Sequence, residues 1–136
     1  MNPTEALERA MVTIVEDGLY IFVDEGTAPQ SPIHCYQMEL VPPLPSCATI
    51  CIQADEQAAA ALASDMLGVE IEDLVPTDHG DAVAEVLNMV AGRFAIELNG
   101  ATHAIDLLPP VTTAANDSPH CSYQVGDGAL SLWCAA

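Results

Sequence analysis

Hydrophobic and polar positions divide the chain into elements before any other property is considered. Leu7, Ala10, Met11, Ile14 and Val15 recur at helical spacing. Ahead of them stands Asn2-Pro3-Thr4-Glu5: an N-cap, a proline at the first helical position and a glutamate able to reach back to the cap. This pattern predicts a first helix to about residue 17. Leu19-Tyr20-Ile21-Phe22-Val23 fits either a short strand or a continuation of that helix. Residues 33–41 and 46–53 read as strands, separated by Pro42-Pro43-Leu44-Pro45, and together predict an antiparallel pair. Residues 55–67 form an alanine-rich helix, with Asp55 near its start and Gly68 placed to cap its end. Pro76-Thr77-Asp78 then punctuates the chain.

The most regular stretch is residues 81–100. At about 100° per residue, Val83, Leu87, Val90, Phe94 and Leu98 gather on one stripe of a helix, which should face the core. Asp81, Glu85, Asn88 and Gly92 gather on the opposite stripe, and Gly100 supplies a stop. A strand to residue 108 follows, ended by Pro109-Pro110. Gly126-Asp127-Gly128 then centres a terminal hairpin. Its arms alternate Cys121, Tyr123, Val125 and Leu130, Leu132, Cys134; Trp133, in the last strand, is assigned to an edge or a dimer contact. Strands and helices without regular βαβ alternation predict an α+β fold, a mostly antiparallel sheet packed against long helices, in one domain over residues 1–136.

Composition narrows the partners. Asp and Glu number 20 against two basic residues, Arg9 and Arg93, giving a formal charge of −18. Nucleic-acid backbones and anionic membrane surfaces need neutralising cations that the chain lacks, so neither is expected as a partner. An apolar fraction of 51% sets the chain apart from disordered acidic sequences. The longest wholly apolar runs, such as residues 58–63, fall far short of the roughly 18 residues of a membrane span, and no basic n-region precedes an apolar stretch. A cytoplasmic protein is expected. The five cysteines are odd in number and widely spread, so they read as reduced, apolar residues.

Two groups of residues invite chemistry. Glu85 and Asn88, three apart on a helix, project from one patch of surface. A carboxamide can orient a water without changing its protonation state, while a neighbouring carboxylate can dock a cation. Gly92 costs about 1 kcal/mol against Ala inside a helix and would keep the surface flat beside Asn88, where another chain could approach. The second group is the two His-Cys pairs, His34-Cys35 and His120-Cys121. Adjacent strand residues point to opposite faces, so each pair offers at most one ligand to a shared site, and no metal site is expected. His79 and His103 read as surface residues. The chain contains no phosphate-binding glycine loop, nucleophile elbow or zinc-protease histidine pair.

The run Asp81-x-x-x-Glu85-x-x-Asn88-Met89-Val90-Ala91-Gly92-Arg93-Phe94-Ala95 resembles the signature helix of CheX-like chemotaxis phosphatases, in the wider CheC, CheX and FliY group. That group carries an acidic residue or Ser, then Glu-x-x-Asn, then a proline some twenty residues on, the position of Pro109-Pro110 here. The single signature helix is similar to CheX more than to CheC. The resemblance implies hydrolysis of the aspartyl phosphate on a phosphorylated CheY-type response regulator. Glu85 would pair with a lysine of the regulator and Asn88 would orient the attacking water, with Asp81 and Gly92 meeting the partner. It implies no cofactor of the protein's own, Mg²⁺ held by the regulator, and a homodimer. Two other readings share the pattern: a non-catalytic module of the same fold that binds a regulator or a flagellar or sensory component, and a helix whose exposed stripe is a dimer interface.

Overall fold

The computed structural model describes residues 2–18, 23–44, 47–99 and 106–135. Helix α1 spans Pro3–Val12; the Asn2 side chain accepts from the Glu5 backbone N–H at 2.9 Å, and the Glu5 carboxylate accepts from the Asn2 amide in return. A wider helical turn, Thr13–Gly18, prolongs it to the expected end. The undecided residues 19–22 lie outside the described residues, as do Gly100 and His103.

Among the described residues, seven strands form one antiparallel sheet: β1 (Val23–Glu25), β2 (His34–Leu44), β3 (Cys47–Ala54), β4 (Asp106–Leu107), β5 (Val111–Thr112), β6 (Cys121–Val125) and β7 (Gly128–Ala135). The order is β1-β6-β7-β3-β2-β4, with β5 also on β2. With helices α2 (Glu56–Leu67) and α3 (Pro76–Asn99), this is the expected α+β architecture, although α3 alone is long. β7 lies between β6 and β3, so Trp133 belongs to a central strand and is buried, not at an edge. β2 does not break at Pro42. It runs to Leu44, and its pairing with β3 shifts register between Glu39 and Leu44, where the prolines have no ladder donor to supply.

The helices cover the sheet face that carries Met38, Ile50, Ile52, Leu130 and Leu132, all buried with their helix partners in one core. Helix α3 lies against α1 and α2 and crosses β2 and β3. Val83, Leu87, Val90 and Phe94 are fully buried as their spacing predicts; Val86 and Ala91 widen the stripe, and Leu98 packs at its rim. On the other face, Gln53 is buried in β3 and exchanges hydrogen bonds with the backbone of Asn116, at 3.0 and 2.9 Å. That pairing explains a buried amide on a central strand, since both its oxygen and its nitrogen are satisfied.

Two local devices set the position of the helix starts. Asp55 caps α2 through Ala58 N–H at 2.9 Å and accepts from Ala129 N–H at 3.0 Å, tying the helix to the terminal hairpin. A Cβ on Gly128 would run into the Ala58 backbone, so this approach requires glycine. Pro76-Thr77-Asp78 does not merely punctuate the chain but opens α3 five residues early: proline occupies the first turn, and the Asp78 carboxylate accepts from Val75 N–H at 2.9 Å.

Candidate functional site

Asp81, Glu85 and Asn88 are all exposed on α3, opposite its buried stripe, as the sequence pattern predicts. They line one side of an open groove of about 680 Å³. Its other side is Tyr36 and Met38 from β2, then Leu107, Pro109 and Pro110 from the sheet edge. The geometry of that edge explains the prolines. β4 pairs Leu40 with Leu107, while β5 pairs Tyr36 with Thr112, so the two are pieces of a single edge strand offset by one residue. Pro109-Pro110 occupies the offset, where no ladder donor is needed, and its rings face the groove.

Gly92 sits one turn beyond Asn88 on the same stripe but outside the groove lining. A Cβ there would meet only Leu107 Cδ1, at 4.0 Å, so packing within the chain does not require glycine. Within α3, Gly80 is the glycine whose missing side chain shapes the packing. A Cβ at that position would stand 2.5 Å from Tyr36 Oη, so its absence lets α3 pass close over β2 and bring Tyr36 to the groove. Nearby, Arg93 donates from Nε and a terminal nitrogen to Glu97 Oε1, at 3.0 and 2.8 Å. With that guanidinium engaged, the exposed stripe presents carboxylates and a carboxamide, a surface that attracts cationic rather than anionic groups.

Among the histidines, His79 is the one that departs from the sequence expectation. His34 does not meet His120, whose Nδ1 instead accepts from Cys134 N–H at 3.1 Å. His34 faces Glu56 and His79, with Nε2 3.5 Å from Glu56 Oε2, while His79 Nδ1 contacts Glu56 Oε1. His79 is thus a partly buried, partnered side chain, not a free surface residue. Burial lowers the His34 pKa below the ordinary imidazole value, which favours the neutral ring. Burial also pushes the Cys51 thiol up to about 12 and Cys121 up to about 11, keeping both protonated, as apolar core cysteines are. Sequence reasoning missed Tyr36, Gly80, His34 with Glu56, and the role of His79; a glycine inside the start of a helix was the one local signal for that close approach.

A layer of helices on one face of an antiparallel sheet is the fold this chain shares with solved chemotaxis proteins of the CheX kind. The family model described as chemotaxis phosphatase CheX matches residues 45–130, and the chain belongs to that family. A comparison with curated protein sequences finds no match. Among solved structures, the chemotaxis protein CheX from Vibrio vulnificus superposes with a TM-score of 0.66 at 19% identity, covering 98% of this chain and 96% of that one. A putative chemotaxis protein from Desulfovibrio vulgaris Hildenborough gives a TM-score of 0.68 at 16% identity, covering 97% and 94%. The CheX chain of a CheX–CheY–BeF3–Mg²⁺ complex from Borrelia burgdorferi gives 0.63 at 20% identity, covering 96% and 95%. At these identities the likeness is one of fold.

Proposed function

We propose that the protein hydrolyses the aspartyl phosphate of a CheY-type response regulator and so ends a chemotaxis or other two-component signal. The observation that carries this reading is the pairing of Glu85 and Asn88, one turn apart and exposed on α3, in a groove open to a second protein. Membership of the CheX family supports it, as does the Borrelia burgdorferi complex, in which a CheX meets CheY together with Mg²⁺ and BeF3, a stand-in for a phosphoryl group.

The chemistry asks little of this chain beyond positioning. An acyl phosphate is already reactive, and phosphoryl transfer depends on alignment and charge stabilisation. The Asn88 carboxamide accepts a hydrogen bond from a water and holds its lone pair toward phosphorus. As the water oxygen bonds to phosphorus, the bond from phosphorus to the aspartyl oxygen breaks, and the electron pair leaves with the carboxylate. The products are inorganic phosphate, which carries away both protons of the water, and the free aspartate of the regulator. Glu85 docks a lysine of the regulator, a contact suited to a chain of charge −18, since the partner must offer its cations locally. Asp81 extends that acidic stripe, and Gly92 leaves the next turn low for the approaching partner. Mg²⁺ belongs to the regulator, and no cofactor is required of this chain.

The same reading places the protein in the cytoplasm with its partner, as a homodimer, for which light scattering should give twice the mass of one chain. No helix among the described residues is long and apolar enough to cross a membrane. The test is the rate of phosphate loss from a panel of purified, phosphorylated CheY-type regulators with Mg²⁺, with and without the protein. Acceleration with at least one regulator is expected. Binding without acceleration would identify a non-catalytic module instead.

A further inference from the structure

We propose that His34, Glu56 and His79 form a binding site for a divalent transition-metal ion, zinc by ligand chemistry. The three residues come from the start of β2, the first turn of α2 and the first turn of α3, and nothing in their spacing along the chain links them. Their potential ligand atoms all lie within 4.8 Å of one another. Three elements therefore converge two imidazoles and one carboxylate on one point. That set is borderline in softness and suits zinc, whereas magnesium and calcium take oxygen ligands.

One separation already fits a shared ion, while a second, the direct contact of His79 Nδ1 with Glu56 Oε1, would have to open to admit it. Ligands about 2.0–2.1 Å from a tetrahedral zinc stand roughly 3.3 Å apart, and His34 Nε2 is 3.5 Å from Glu56 Oε2. That Nε2 is buried from solvent yet has no hydrogen-bond partner, although it points toward the carboxylate. A buried ring nitrogen left unsatisfied is costly, and coordination of an ion would satisfy it. The His34 and His79 rings meet edge to face with centroids 6.2 Å apart, and an ion would enter between them as the Glu56 carboxylate swings away from His79 Nδ1. Glu56 remains about half exposed, which leaves a route for the ion to enter.

The position gives the ion a structural consequence. His79 precedes Gly80, whose missing Cβ admits Tyr36 Oη, and Asp81, which lines the groove. Binding would clamp the first turn of α3 to β2 and α2, and so fix the end of the groove that carries Asp81 and Tyr36. Three protein ligands leave the fourth position to water.

The test uses the full chain, stripped of metal and titrated with Co²⁺, whose visible absorption reports tetrahedral coordination, followed by displacement with Zn²⁺. One equivalent of Co²⁺ should bind with a tetrahedral spectrum lacking a thiolate charge-transfer band, and zinc should displace it and raise the melting temperature. Loss of an outer-shell partner already weakens metal sites by about 10–100-fold, so His79→Gln and Glu56→Gln should each weaken binding at least that much. Both side chains reach solvent, so these variants serve even if His34→Ala fails to fold. His120→Ala should leave binding unchanged. A spectrum that survives both the His79 and Glu56 substitutions, a thiolate band, or no binding by folded protein would each overturn the proposal.

Discussion

The two sides of α3 make an instructive pair. On one side Val83, Leu87, Val90 and Phe94 are fully buried; on the other Asp81, Glu85 and Asn88 are exposed along a groove. The sides share a backbone and a length, yet different physics fixes their residues. Volume and transfer free energy decide the buried side, where any deleted atom leaves a cavity. The exposed side contributes almost nothing to packing, so its residues matter only for what they offer a partner. Substitutions on the two sides should therefore separate stability from activity, and the experiments that follow either sharpen that separation or break it.

Phe94→Ala should have the largest effect. Removing a buried ring costs about 3–5 kcal/mol, seen as a lower midpoint in urea unfolding with an unchanged slope. Asn88→Ala comes next: loss of one positioned amide should slow regulator dephosphorylation by about 100-fold or more, with the melting temperature unchanged. Glu85→Gln should raise the regulator concentration needed for half-maximal rate by about tenfold and flatten its dependence on salt, because it removes a docking charge and leaves the water-orienting amide.

Gly80→Ala tests the boundary between the sides. The new methyl must displace Tyr36, while a helix gains about 1 kcal/mol from losing a glycine. Thermal stability should change little while hydrolysis falls several-fold, linking the groove wall to the reaction. The smallest effect is expected at Gly92→Ala, whose methyl would make only an ordinary contact with Leu107: stability rises by up to about 1 kcal/mol, and affinity for the regulator drops a few-fold. Unchanged affinity there would remove Gly92 from the partner surface.

What could be read from the sequence follows the same division. Both stripes of α3, the two helix caps at Asn2 and Asp55, the left-handed Gly68 and the terminal hairpin are encoded by near neighbours, and each appears where its local pattern puts it. The start of α3 is ambiguous in the sequence because Pro76-Thr77-Asp78 suits a turn and a helix N-terminus equally. Pro42-Pro43 looked like a strand break because a register shift, which excuses the missing donors, depends on the neighbouring strand. Tyr36 and the His34, Glu56, His79 cluster were invisible for a related reason. Their meeting depends on α3 crossing β2 at Gly80, a tertiary fact that no periodicity records.

The central claim is that chemistry resides in the exposed stripe and is independent of the core beneath it. Its most direct test follows phosphate loss from a phosphorylated CheY-type regulator in Mg²⁺, with wild type and Asn88→Ala compared after both are seen to melt at the same temperature. The account predicts acceleration by wild type and, with the variant, a rate near the regulator's own. Equal acceleration by the two proteins would contradict it.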